Sequence, residues 1–218
     1  MVRAVIIDVD DTLCMTEAAS FDLVNDVLAR MGRPPMDRTV HRSTWGEVLL
    51  DAMPARSPGV DLARFAELFP PAHQEYLAAG KLDVIPPENL AALDELVAAG
   101  RKVLLLTSRA EAEIAHMLAP DHVLNGRISA AYHQGNTRFR KPDPRAFDEL
   151  LTETGLTPGE CVYVGDSPGD AVAAGGAGIR FIACLQSGVR RLEDFDPRFV
   201  TAVVDVFPEV TTAVARLE

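Results

Sequence analysis

Four clusters of polar side chains punctuate the 218-residue chain, and each holds a residue type suited to moving charged groups. Asp8 and Asp10 follow the apolar run 4–7, and Thr107, Ser108 and Arg109 follow the run 103–106. Lys141 stands in the stiff turn Arg140-Lys141-Pro142-Asp143-Pro144, and Asp166 and Asp170 belong to Gly165-Asp166-Ser167-Pro168-Gly169-Asp170, directly after the run 161–164. Taken singly, Asp, Ser or Thr after a strand is an ordinary helix cap or turn former. Taken together they point further. Four carboxylates converging on one place repel, each pair by about 4 kcal/mol at about 4 Å in an effective dielectric of about 20. A divalent cation that prefers oxygen relieves this, and Mg²⁺ suits a site of few carboxylates completed by water and phosphate. Lys141 adds a positive charge, while Thr107, Ser108 and the amides of a helix opening near Arg109 offer a cradle for an anion. Carboxylates, Mg²⁺, a lysine and a helix N-terminus are together what phosphoryl transfer requires, because positioning and charge neutralisation do most of that work.

Such convergence needs a scaffold. Five apolar runs of strand length, 4–7, 103–106, 161–164, 179–185 and 200–204, alternate with helical periodicity at 87–99, 110–118, 144–154, 168–174 and 208–217. Nearly unbroken apolar strands separated by helices predict an α/β domain, a Rossmann-like, doubly wound and mainly parallel sheet covered on both faces. In such a sheet the carboxyl ends of the strands share one edge, where ligands bind. Residues 14–84 interrupt the alternation with helical periods only. Phe21, Val24, Leu28 and Met31 mark one helix, Val40, Val48, Leu49 and Ala52 a second, Leu62, Phe65 and Leu68 a third ending before Pro70-Pro71, and Tyr76 and Leu77 a fourth. The expected organisation is a catalytic core of residues 1–13 and 85–218 carrying a small helical cap at 14–84, whose two adjacent linkers form a hinge.

Composition narrows the partners. Lys and Arg number 21 against 32 Asp and Glu, and the net charge of −11 with no cationic stripe excludes nucleic acid and anionic membrane as expected partners. No run approaches 18 apolar residues, so a soluble, cytoplasmic protein is expected, monomeric or homodimeric. Cys14, Cys161 and Cys184 have no CxxC spacing, and the five histidines, His41, His73, His116, His122 and His133, have no metal-ligand spacing.

In order, Asp8-Val9-Asp10-Asp11-Thr12-Leu13, Thr107-Ser108, Lys141-Pro142-Asp143-Pro144 and Gly165-Asp166-Ser167-Pro168-Gly169-Asp170 resemble the four motifs of the haloacid dehalogenase-like superfamily. The insert resembles the cap of its phosphoglycolate phosphatase and β-phosphoglucomutase branch. The resemblance implies a Mg²⁺-dependent phosphatase of a small phosphorylated metabolite. Asp8 would attack phosphorus to form a phosphoaspartate, and Asp10 would protonate the leaving oxygen and then activate water. Thr107, Ser108 and Lys141 would bind the transferred phosphate. Asp8, the Asp10 carbonyl and Asp166 would ligate the metal, steadied by Asp170. Arg42, Thr44, Trp45 and Gly46 of the cap, with Arg109, would read the rest of the substrate.

The alternatives are a sugar-phosphate mutase and a non-catalytic module that binds a phosphometabolite. Asp10 stands where dehalogenases of the superfamily typically lack an acid, and Gly165 stands where mutases often carry one. Cleavage of phosphonates would need a cap lysine, and residues 14–80 contain none. Asp11 and Met15 depart from the commoner glycine and Asp or Asn.

Overall fold

The computed structural model describes residues 1–47 and 49–218. Six strands, β1 (Ala4–Ile7), β2 (Lys102–Leu106), β3 (Ala130–Tyr132), β4 (Cys161–Gly165), β5 (Arg180–Cys184) and β6 (Ala202–Val204), form one sheet in the order β3-β2-β1-β4-β5-β6. Every pairing is parallel. The sheet is therefore the expected doubly wound type with one addition. β3 was not among the expected strands, because Ala130-Ala131-Tyr132 is three residues long and partly buried, and leaves little apolar signal.

The two-residue period of each strand sorts its side chains onto two faces. Val5, Ile7, Val103, Leu105, Val162, Val164 and Ile182 join one core, covered by α5 (Pro87–Ala98) and α9 (Val210–Arg216). Ala4, Ile6, Leu104, Leu106, Tyr163, Phe181 and Ala183 join the other, against α7 (Asp148–Thr154) and α8 (Pro168–Gly176). Burial on both faces explains why these strands read as continuous apolar runs. Cys14, Cys161 and Cys184 are buried within these layers.

The chain divides into two compact units, 1–14 with 85–218, and 15–84. The second holds α1 (Thr16–Arg30), α2 (Arg38–Ser43), α3 (Leu49–Arg56) and α4 (Leu62–Ala78). Asp37 caps α2 by accepting from the amides of Thr39 and Val40, and Asp61 caps α4 through Arg64. Leu23, Val24, Val27 and Leu28 of α1 pack with Met53, Phe65 and Ala72.

Two expectations are corrected. The single second helix is two, α2 and α3, and Val48 lies outside the described residues. The third and fourth helices are one, because α4 runs through Pro70 and Pro71. Proline removes an amide donor and crowds the preceding turn. Here Phe65, Leu68, Phe69, Ala72 and Tyr76 keep one apolar face on the unit's core across the interruption, and that burial outweighs the lost bonds. Among the described residues, no helix is long and apolar enough to cross a membrane.

Helix α8 packs Gly176 against the segment that carries Lys141. A Cβ on Gly176 would overlap Pro144 Cγ, in the turn that follows Lys141. Alanine in a helix interior ordinarily gains about 1 kcal/mol over glycine. At this position overpacking, about 1–3 kcal/mol, reverses the sign. Gly176→Ala is expected to lower the unfolding temperature; a rise in calorimetry would contradict the close packing.

Candidate active site

Parallel pairing carries three of the four clusters to one edge. Ile7 lies level with Leu105 on β2 and Val164 on β4, and the ladder continues one residue further through Asp8 N–H donating to Val164 O at 2.9 Å. Thr107 N–H likewise donates to Tyr132 O at 3.0 Å, which places Thr107 at the end of β2. Asp8 thus sits at the end of the central strand, with Asp166 immediately beyond β4.

Regular strand ends at Ile7, so Asp8 and Asp10 are not two successive same-face positions of one strand, as their spacing predicts. The chain turns instead: Leu13 and Cys14 N–H both donate to Val9 O, and Asp11 takes φ 55°. That left-handed conformation favours glycine, and Asp is among the residues that tolerate it. Asn89 of α5, fully buried, donates from Nδ2 to Leu13 O at 3.0 Å and anchors the turn.

At the centre is Lys141. Its Nζ lies 2.8 Å from Asp8 Oδ1, 2.7 Å from Asp170 Oδ1 and 2.8 Å from Tyr163 Oη. Asp8 Oδ1 also accepts from Val9 N–H at 2.8 Å, and no described donor reaches Oδ2. Asp170, with no exposure, is satisfied on both oxygens. Oδ1 faces Lys141 and accepts from Tyr163 Oη at 2.8 Å, while Oδ2 accepts from Ser167 Oγ at 2.6 Å and Ser167 N–H at 3.1 Å. Ser167 at the same time caps α8 by accepting from Asp170 N–H, so one reciprocal cap fixes both the helix and the carboxylate.

Gly165 makes room for this. A Cβ there would stand 2.7 Å from Asp170 Cγ. An acidic side chain at position 165 and Asp170 in its present place exclude each other.

Oxygens of Asp8, Asp166 and Asp170 lie within 4.8 Å of one another, all in buried residues. Burial, more than any neighbour, pushes Asp8 up to about 7; Lys141 pulls it back, and Asp170 and Asp10 push further. Asp166 is raised well above its ordinary value by burial, then by Asp170, Asp8 and Asp11. Burial works to lower Lys141, but Asp170 and Asp8 outweigh it and the ammonium is held more firmly than usual. Three carboxylates against one ammonium leave two negative charges if all ionise. The Asp166 carboxylate accepts no hydrogen bond from a described donor. Hard anionic oxygens, three of them without a described donor, fit a divalent cation such as Mg²⁺.

The remaining expected residues fall less simply. Thr107 is buried and its Oγ1 accepts from Arg109 N–H at 3.2 Å, while Ser108 is exposed. The expected helix at 110–118 is a single α turn, α6 (Glu111–Ile114), followed by a 3-10 turn, and Ala110 N–H is taken by Glu113 Oε2 at 2.6 Å. Two of the amides at the expected cradle, those of Arg109 and Ala110, are therefore taken by the chain's own acceptors. Arg109 forks onto Asp10, Nη2 to Oδ1 at 2.7 Å and Nε to Oδ2 at 3.1 Å.

In the helical unit, Arg42 Nε lies 3.7 Å from Glu17 Oε1, and Thr44 Oγ1 accepts from Arg56 Nε at 2.8 Å. The Trp45 ring lies 5.3 Å from that of His41, and Gly46 takes φ 94°. His41 is fully buried; burial first, then Arg56, lowers it to about 4 and keeps the ring neutral. The sequence did not single out Glu17 or Tyr163, which lie inside apolar helical and strand patterns that read as core.

Residues 5–184 match the family model of haloacid dehalogenase-like hydrolases. The chain is 28% identical over 217 residues to phosphoglycolate phosphatase 1 of Pseudomonas aeruginosa, covering 93% of this chain and 76% of that one. A solved structure described as a predicted phosphoglycolate phosphatase, from Haemophilus somnus 129PT, superposes with a TM-score of 0.79 at 20% identity over 98% of both chains. Another, titled "putative beta-phosphoglucomutase" and from Thermotoga maritima, gives 0.79 at 22% over 99% of this chain and 100% of that one. At those identities the structures show the shared fold.

Folded Asp8 keeps its proton up to about pH 7, whereas the unfolded carboxyl loses it near 3.8. Asp8 therefore contributes stability that is present below pH 3.8 and lost as pH rises through about 7. In metal-free protein, Asp8→Asn should unfold at a higher temperature than wild type at pH 7.5, with the gap closing toward pH 4. Scanning fluorimetry across that range checks this, and a gap independent of pH contradicts the assigned burial.

Proposed function

The chain belongs to the haloacid dehalogenase-like hydrolases, and from that premise we propose that it is a Mg²⁺-assisted phosphatase of a small phosphorylated metabolite. The observation that carries the reading is the buried Asp8 carboxylate at the end of β1, with Oδ1 fixed by Lys141 and Val9 N–H and Oδ2 left for bond formation. The mechanism requires a nucleophile that is ionised, aimed and dry. Lys141 and the backbone supply the aim. A bound Mg²⁺, held by Asp8, the Asp10 carbonyl and Asp166, would neutralise charge on the nucleophile and the transferred group.

Asp8 Oδ2 attacks phosphorus and the bond to the leaving oxygen breaks, giving a phosphoaspartate. Asp10 donates its proton to that leaving oxygen. In the second half Asp10 takes a proton from water as the water attacks the phosphoaspartate, and inorganic phosphate leaves. Arg109 forks onto both oxygens of Asp10 in this structure and must let go of one of them before Asp10 can carry the proton it donates. Thr107 and Lys141 meet the phosphate oxygens, and Asp170 holds Lys141 in place. In the same proposal the helical insertion is the cap, and Arg42, Thr44, Trp45 and Gly46 are its candidate specificity residues.

Relatives named phosphoglycolate phosphatase support a short phosphorylated carboxylate as the first substrate class to test. The crowding at Gly165 favours hydrolysis over mutase chemistry, since the acidic residue that mutases often carry there would collide with Asp170.

The test is phosphate release from 2-phosphoglycolate and a panel of phosphate esters. Asp8→Asn is expected to lower kcat by about a thousandfold or more, and a chelator to abolish turnover reversibly. An isomeric sugar phosphate in place of inorganic phosphate would establish the mutase. Full activity in Asp8→Asn would overturn the reading. Asp10→Asn should slow alkyl phosphates, which have poor leaving groups, far more than aryl phosphates; equal slowing would remove Asp10 from its acid role.

A further inference from the structure

Lys141 Nζ carries three N–H donors, and three acceptors already surround it: Asp8 Oδ1, Asp170 Oδ1 and Tyr163 Oη. A phosphate oxygen arriving at Lys141 is therefore a fourth acceptor for three donors, and one contact must yield. Releasing either carboxylate would separate opposite charges in a site where the lysine side chain is 10% exposed and that of Asp170 not at all. Tyr163 is the neutral member of the set. Its hydroxyl proton goes to Asp170 Oδ1 at 2.8 Å, so the hydroxyl loses only an accepted bond when Lys141 turns away.

The ring is held independently of that bond. It packs edge-on to Phe147 at 5.1 Å between centroids and lies 6.0 Å from Phe181, wholly inside the sheet's second core. The mechanism gives this buried hydroxyl no task.

We propose that Tyr163 is a positioning residue that holds the third N–H of Lys141 while the site is empty and surrenders it to a phosphate oxygen when substrate binds. The inference rests on the reading of Lys141 as the lysine that meets the transferred phosphate. With the hydroxyl present, the free lysine is satisfied and phosphate must compete for a donor. With the hydroxyl removed, the free enzyme has a buried charged donor without an acceptor, and phosphate completes the set. Tyr163→Phe should therefore bind anions more tightly, the reverse of what loss of a structural hydrogen bond would produce.

The measurement is the inhibition constant of inorganic phosphate, with Mg²⁺ present, for wild type and Tyr163→Phe, alongside KM and kcat for the best ester. The expected result is a phosphate constant about tenfold lower with KM falling in step, the scale set by a buried unsatisfied donor. An unchanged or higher constant overturns the proposal.

A second measurement leaves Tyr163 in place. The chain has three tyrosines, so protein labelled with 3-fluorotyrosine gives three ¹⁹F signals, assigned through Tyr76→Phe and Tyr132→Phe. Saturating phosphate should move the Tyr163 signal, and a stationary signal overturns the proposal. Wild type that binds no phosphate overturns this inference together with the functional reading. Wild type that binds phosphate without tightening in Tyr163→Phe overturns this inference alone.

Discussion

Crowding of negative charge in a nearly dry place governs this molecule. Asp8, Asp166 and Asp170 bring carboxylate oxygens within 4.8 Å of one another, and a single ammonium, Lys141, stands against them. At such distances like charges repel by a few kcal/mol even with generous screening. The fold tolerates the arrangement because its members are treated unequally. Asp170 is fully hydrogen-bonded and paired, Asp8 is held on one oxygen, and Asp166 receives no described donor. That inequality defines the chemistry. In the proposed mechanism the satisfied carboxylate is scaffold, the half-satisfied one is the nucleophile, and the one without a donor takes the cation.

The scaffold enforces the crowding through its pairing. Parallel ladders on both sides of β1 leave Asp8 no choice of position, because Asp8 N–H itself extends the ladder to β4. Gly165 and Ser167 then place Asp170 beneath Lys141, one by having no side chain and the other by exchanging hydrogen bonds with it. The close approach of Gly176 to Pro144 holds the helix that carries Asp170 against the turn that follows Lys141.

Much of this was legible in the sequence because strand ends announce themselves. An apolar run broken abruptly by Asp8, Thr107 or Asp166 marks both a sheet edge and a polar site, and the two readings support each other. Interactions set by tertiary contact were not legible. Pro70 and Pro71 signal a helix break locally, but a continuous apolar face overrides them. β3 is too short to announce itself. Tyr163 sits at a core position in an apolar strand, and nothing in the local pattern shows that its hydroxyl reaches Lys141. Arg109 lies forked on Asp10, a pairing across 99 positions that no local pattern encodes.

The central claim is that one oxygen of Asp8 bonds to phosphorus while Lys141 and a divalent cation balance the charge. A crystal structure with Mg²⁺ and beryllium trifluoride, a mimic of the transferred group, tests it most directly. Continuous density from Asp8 Oδ2 to beryllium, with a fluoride within hydrogen-bond distance of Lys141 Nζ and the cation touching Asp166, is the result the account requires. A free Asp8 carboxylate in a crystal that holds the fluoride elsewhere would contradict it.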